Sequence, residues 1–438
     1  MSQEAIFMIK EAVRTKDRAS LERHVGHVST TDFKPITMTE IAVICKEGGH
    51  QDLAEQLLLR AIERDPAVAA AHYEIAVVYR LSNRKHAAIA SLLQARIHAP
   101  GDFRIELLLT HMLHAIGAHP EAEEVSNSMQ PGSEAETVQL AVLHDFAKYL
   151  QEFPQGRGQH ILNSVRRKFD YLDVGNVAAR IRTAILEARG FSLVRLGDGE
   201  GAFAKISLED EARYPALYSS IRREWCTLLF GAGFDPVATG YAAVVETLMQ
   251  TSCEADVVGV PYPDWLDHEY AISSFRGVPC LLNVHRNLLA FGDADGPAMC
   301  DQRIHIELHQ QGLIEPILRM TPEIGLISCL PDLPGRLQDR FGLNQVELFK
   351  IPGERYSETL LSADALAGVH FPYVFWDIAR RLSVPHNGRV FLIAAGTLAK
   401  FYAAIIKRHG GIALDIGSLV DGWMRIASRP GYDDTLGI

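Results

Sequence analysis

Between Thr37 and Pro131 the chain repeats itself: Pro66 and Pro100 stand 34 positions apart, and Asp-Pro, Ala-Pro-Gly and Gln-Pro-Gly interrupt a helical periodicity at regular points. A repeat of that length cannot bury its apolar face alone, so copies must stack, with three as the usual minimum. Within the central copy Ala71, Tyr73, Ala76, Tyr79, Ala87, Ala90 and Ala95 place small and aromatic residues where paired helices pack closely. The preceding copy ends in AEQLLLRAIERDP (Ala54 to Pro66), and the following one runs from Gly101 to Pro131, slightly short of a full period.

This pattern resembles the tetratricopeptide repeat. The resemblance implies an all-α stack with a concave surface for a partner or acceptor; a spacer or dimerisation arm, with the chain as a homo-oligomer, is the competing role. Residues 1–36 read as one or two leading helices. The helical repeat domain is placed at 1–150, a connection containing Pro154, Gly156 and Gly158 at 151–176, and a second domain at 177–438.

With 438 residues and 47% hydrophobic content the chain can build two or three cores. A net charge of -11 argues against nucleic acid as a partner, because phosphate-backbone binders display a basic stripe. Cys45, Cys226, Cys253, Cys280, Cys300 and Cys329 show no Cys-x-x-Cys spacing and read as reduced, mostly buried thiols. The first twenty residues are too charged for a secretion signal, and no apolar run reaches bilayer length. A cytoplasmic protein is expected, with peripheral association at the inner membrane face left open.

From about Asn176 short β-rich runs alternate with helical stretches, which signals an α/β domain with a mainly parallel sheet. The expected strands are Ser192 to Leu196, Asp256 to Val260, Pro279 to Val284, Ile324 to Cys329, Val346 to Ile351, Arg389 to Ala394 and Ile412 to Ile416. In open α/β sheets ligands bind at the carboxyl ends of strands.

Two such ends carry chemistry. The first is FSLVRLGDGEGAFAKI, from Phe191 to Ile206. Asp198 and Glu200 are separated by one glycine, which sends both carboxylates toward the same side and lets one hard cation, Mn2+ or Mg2+, sit between them. Taken alone, an Asp-x-Glu is more often a solvated turn. Gly197 and Gly199 permit close ligand approach, and Arg195 is placed by strand alternation as an inward charge that pairs with an acid or reaches a phosphate. The second is Arg389 to Ile416, a βαβ pattern whose turn Ala395-Gly396-Thr397-Leu398-Ala399-Lys400 offers backbone N–H groups and an ammonium to an anion. Asp415 ends its last strand.

The segments SLVRLGDGE and VFLIAAGTLAKFYAAIIKRHGGIALDIGSLVDGW resemble the bacterial GT-D glycosyltransferases, and the resemblance spans roughly Val177 to Arg425. It implies a Rossmann-like GT-D domain in which an Asp-x-Glu motif, here Asp198 and Glu200, holds a divalent metal on the diphosphate of a nucleotide sugar, with a UDP-sugar expected. It further implies donor contacts from Gly396 and Lys400, with Thr397 beside them, and a ribose or acceptor hydroxyl on Asp415. The chain departs from the family in having Thr397-Leu398 where relatives carry Pro-Thr, and Ser418 where they often carry His.

An inverting reaction needs a base, for which Glu354, His370 and Asp264 are the candidates, with His285 in the same class. A structural histidine or an ion pair with Arg355 are the plain alternatives. His305, Glu307 and His309 share one helix but lack the His-Glu-x-x-His spacing of a zincin, and read as a helix surface near the cleft. The expected function is sugar transfer to a hydroxyl on a protein or glycan. A non-catalytic nucleotide-sugar adaptor and a metal-dependent phosphoryl-transfer or hydrolytic enzyme are the alternatives.

Overall fold

A computed structural model describes residues 2–15, 17–290, 296–357, 360–382, 384–426, 428 and 436–438. The chain forms two compact units, residues 1–148 with 268–274, and residues 149–267 with 275–438.

In the first unit two leading helices, Ser2–Arg14 and Arg18–Thr30, precede three helical hairpins. The hairpins pair Pro35–Glu47 with Gln51–Arg64, Ala69–Leu81 with Lys85–His98, and Phe103–Ala115 with His119–Ser128. First helices start at 35, 69 and 103 and second helices at 51, 85 and 119, so the 34-residue period read from two prolines holds through every hairpin. It reaches the backbone: Gly49, Asn83 and Gly117, one in each hairpin turn, all adopt positive φ. Only glycine and asparagine enter that region at low cost, which is why they recur there. Buried Ala42, Ala54, Ala61, Ala71, Ala76, Ala88 and Ala95 let the helices approach closely. The last helix is the shortest, in keeping with the short third copy.

The stretch expected to connect the domains is itself helical over Gln155–Lys168, which follows a helix spanning Glu134–Glu152. Pro154 serves there as the residue before the helix start. The second unit is α/β. Its strands are β1 Phe191–Arg195, β2 Val257–Val260, β3 Ala298–Asp301, β4 Glu323–Ser328, β5 Gln345–Lys350, β6 Val390–Ile393 and β7 Ile412–Asp415. They form one sheet in the order β3-β2-β1-β7-β6-β4-β5, with every pairing parallel. The central strands are buried along their whole length, as a sheet covered on both faces requires. Phe191, Leu193, Val257, Ile324, Leu326, Val390, Leu392, Ile412 and Leu414 share one core with helices Val174–Leu186, Ile304–Gln310, Ile314–Arg319 and Leu333–Phe341. Residues of the other parity face the layer containing Ala399–Arg408, which touches β1, β6 and β7.

One expected strand is wrong. Pro279 to Val284 lies inside the helix Gly277–Ala290, and the third strand is instead the four-residue Ala298–Asp301. Val278, Cys280, Leu281, Leu282 and Val284 are all buried. A helix buried on every side shows the same unbroken apolar run as a buried strand, so periodicity cannot separate the two.

β1 and β7 are neighbours whose chains leave toward opposite faces. After β1, helix Asp198–Phe203 packs on Gly277–Ala290 and Pro215–Phe230. After β7, Leu419, Val420 and Trp423 join the other core. Such a divergence leaves the strand ends between them accessible to a ligand.

Candidate functional site

Both segments singled out in the sequence arrive at this point. Arg195, the last residue of β1, lies beside Asp415, the last residue of β7. Its backbone N–H donates to Asp415 Oδ2 at 3.2 Å, its Nε to the Asp415 carbonyl at 2.9 Å and its Nη2 to Asp415 Oδ1 at 3.3 Å. Gly417 makes this approach available: its φ is +45°, and a Cβ there would overlap Arg195 Nη2. Nη1 lies 3.1 Å from His305 Nδ1. His305, expected on a helix surface near the cleft, is therefore a buried neighbour of the network.

Lys400, in the first turn of Ala399–Arg408, completes the cluster. Its ammonium is 2.5 Å from Glu200 Oε1, 3.1 Å from Asp415 Oδ2 and 3.3 Å from the Gly396 carbonyl. The other Glu200 oxygen, Oε2, accepts the Gly197 N–H at 2.8 Å. Arg195 and Glu200 are each 8% exposed, Lys400 3% and Asp415 1%. Burial alone would drive the ammonium toward neutrality, but the charges of Asp415 and Glu200 outweigh it and raise the Lys400 pKa. In the same way, burial works against the Asp415 carboxylate, yet Lys400 and Arg195 hold its pKa below the ordinary value. Lys400 and Asp415 thus each favour the charged form of the other in a buried site.

Arg195 takes the first of its two expected roles and pairs with an acid, Asp415, while Lys400, expected to touch the donor, is bonded to Glu200 and Asp415. Thr397 is buried too, its hydroxyl 2.8 Å from Tyr241 Oη. A Cβ on Gly396 would overlap Glu354 Oε1, so a protein carboxylate already lies against the turn expected to receive an anion. A cation shared by Asp198 and Glu200 does not fit: both Glu200 oxygens are committed, one of them to an ammonium that a divalent ion would have to displace. Among the described residues no group of three or more His, Cys, Asp or Glu side chains is arranged to hold a metal ion.

Asp198 differs from Glu200. It is partly exposed at the start of its short helix, with Oδ1 accepting the Gly199 N–H at 3.0 Å. Two indole rings flank it. A Cβ on Gly197 would come within 3.2 Å of Trp265, and one on Gly199 within 3.3 Å of Trp225. The glycines of Gly-Asp-Gly thus seat aromatic rings against the loop. The Trp225 Nε1–H is buried without an acceptor among the described residues. Neither tryptophan carried a signal in the sequence beyond the missing side chains of its glycine partner.

Of the base candidates, Asp264 is exposed in the first turn of Pro263–Ala271, next to Trp265. Glu354 is half-buried at Gly396. His370 is buried: its Nε2 is 3.0 Å from Tyr402 Oη, the rings are stacked, and burial pushes its pKa down to about 3. His285 is fully buried within Gly277–Ala290, with its pKa also lowered to about 3 by burial. Neither imidazole accepts a proton near neutral pH.

No protein-family model matches the chain, and no curated protein matches it. Among solved structures it aligns with a Thermobaculum terrenum O-GlcNAc transferase mutant at 14% identity, over 96% of this chain and 76% of that one, with a TM-score of 0.24. A likeness that loose leaves fold and function to be argued from the chain's own geometry. Among the described residues, no helix is long and apolar enough to cross a membrane.

Proposed function

We propose that the chain is a glycosyltransferase that moves a sugar from a nucleotide diphosphate donor, a UDP-sugar foremost, to a hydroxyl acceptor at the ends of β1 and β7. One observation carries this reading. The two segments by which the sequence resembles GT-D glycosyltransferases, from opposite ends of the α/β unit, are tied together by the Arg195–Asp415–Lys400–Glu200 network.

In this mechanism the network positions. It holds the Gly197 to Glu200 loop rigidly against the Gly396 turn, so that Asp198 and the two indoles stand in fixed relation. Trp225 and Trp265 offer faces on which a sugar ring or nucleobase packs, and Asp198 accepts a hydroxyl hydrogen bond from the donor. The acceptor oxygen forms a bond to the anomeric carbon as the bond from that carbon to the diphosphate oxygen breaks, and the acceptor proton passes to a carboxylate. Asp264 and Glu354 are the groups of suitable type near the loop. Because Glu200 does not fit a metal ligand, no step is routed through Mn2+ or Mg2+. The helical repeats supply the surface on which a protein or glycan acceptor is held.

The test is a panel of nucleotide sugars, screened by thermal shift and then by mass spectrometry of products, with added Mn2+ or Mg2+ and with a chelator. Glycoside formation that Asp198→Ala abolishes supports the reading. Donor binding with no product would make the chain an adaptor, and phosphate release with no glycoside would make it a hydrolase. Activity lost with chelator and restored by Mn2+ would show that Glu200 exchanges its ammonium for a metal when donor binds.

A further inference from the structure

Gly197, just past β1, has neighbours from two other strand ends. The point where its Cβ would stand is 3.2 Å from Trp265, which follows β2, and 3.7 Å from the amide Nε2 of Gln302, which follows β3. The local chain fixes Gln302 there. Its backbone N–H donates to the Val260 carbonyl at 2.8 Å, and a Cβ on Gly259 would come within 3.2 Å of the Gln302 Cα, so glycine in β2 lets the end of β3 approach closely. Gln302 is half-buried. Its side-chain amide makes no hydrogen bond among the described residues and is not shut off from solvent. An indole and an open amide thus stand against the same glycine, next to Asp198.

The chemistry of that pair separates the parts of a nucleotide donor. A phosphate finds no unpaired cation here, because the Arg303 guanidinium donates to Glu307 at 2.7 Å and lies over the Tyr262 ring, while Arg166 is held by Asp301 at 3.0 Å. A primary amide presents a donor and an acceptor side by side in one plane. A heterocycle with an N–H next to a carbonyl offers the complement in its own plane and leaves its face for an aromatic ring, which is how glutamine and asparagine read base edges. Uracil has that edge at N3–H and O4. Asp198, which as a carboxylate only accepts, suits a sugar hydroxyl instead. We propose that the uracil of the donor packs on Trp265 with its N3–H and O4 on the Gln302 amide, which makes Gln302 the residue that selects the base. The assignment rests on the reading of the chain as a user of nucleotide donors, and adds which part of the donor lies at the ends of β2 and β3.

The experiment titrates the full chain calorimetrically with UDP and with N3-methyl-UDP, whose methyl group blocks the imide edge. Each titration is run with and without Mn2+, so that the outcome does not depend on how the diphosphate is held. The parent chain should bind N3-methyl-UDP at least about tenfold more weakly than UDP, as for loss of a two-bond contact between an amide and a base edge. Gln302→Ala should weaken UDP by a similar factor and bind the two ligands alike, with thermal unfolding unchanged. UDP binding that survives Gln302→Ala, or a methyl penalty that persists in that variant, would overturn the assignment and leave the donor reading standing. A loss in Gln302→Ala seen with a UDP-sugar and not with UDP would give the amide to the sugar and overturn it as well. Failure of the parent chain to bind UDP at all would remove the uridine donor together with this subsite.

Discussion

Glu200 and Glu106 are both buried carboxylates, each paired through one oxygen with a cation, Lys400 in one case and Arg96 in the other. They differ at the second oxygen. In Glu200 it receives the Gly197 N–H, and in Glu106 it has no hydrogen-bond partner among the described residues. With the Lys400 ammonium on one oxygen and the Gly197 N–H on the other, Glu200 ties its loop to the scaffold. On the proposed reading the ligand-facing role in the α/β unit falls to Asp198, the neighbour of Glu200.

The largest effect expected from this difference is on stability. Lys400→Met leaves Glu200 and Asp415 buried beside each other with Arg195 as the remaining cation, and removal of one partner from a buried pair costs about 3–5 kcal/mol. Denaturant unfolding of the α/β unit should show a loss of that size. A loss under about 1 kcal/mol would mean that water enters the network. Next comes Asp198→Asn, which keeps the shape of the loop and of the Gly199 N–H acceptor. Folding should change by less than about 0.5 kcal/mol, as for surface sites, while sugar transfer should fall by about a hundredfold or more. Glu200→Gln should show the opposite balance, with stability lost first. If both variants lose activity at full stability, the two carboxylates act together after all.

Much of this was legible in the sequence, for physical reasons that differ by element. Repeats announce themselves because each hairpin must solve the same packing problem with the same residues, so Gly49, Asn83 and Gly117 recur in register. Most strands of the sheet were legible because buried parallel strands read as short apolar runs, and the exposed edge strand Gln345–Lys350 was legible through its alternation of apolar and polar residues. Ala298–Asp301 was not, being four residues long with small and polar members, and the buried helix holding Pro279 took its place. At the site, sequence located Arg195, Glu200, Lys400 and Asp415 at the right strand ends. Their pairing depends on β1 and β7 being neighbours, which spacing along a chain does not reveal. Trp225, Trp265 and Tyr241 come from other elements and enter only through the fold.

A smaller effect comes from acid. His285 and His370 are buried and neutral in the α/β unit, with pKa values lowered to about 3 by burial. A histidine whose folded pKa is depressed contributes stability that is present above the unfolded value of about 6.5 and is lost as pH falls below it. Each should therefore remove about 1.4 kcal/mol per pH unit between roughly pH 6 and pH 3. The charge network behaves differently: the lowered pKa of Asp415 keeps its contribution intact until about pH 4. Acid unfolding that begins near pH 6, and shifts downward in His370→Gln, would assign the acid limb to the histidines. An onset below pH 4 in the parent chain would assign it to the network.

The smallest effect separates the two carboxylates most sharply. Glu106→Gln removes a desolvated charge that is only half satisfied and weakens a pairing with Arg96, whose side chain is 38% exposed and screened by solvent. The two changes oppose each other, so the repeat unit should keep its stability to within about 1 kcal/mol. Glu200→Gln, the same change in atoms, should cost several times more because every partner it disturbs is buried. Paired unfolding curves of the two variants measure this ratio directly. Equal losses would mean that the second oxygen of Glu106 is completed within the folded chain.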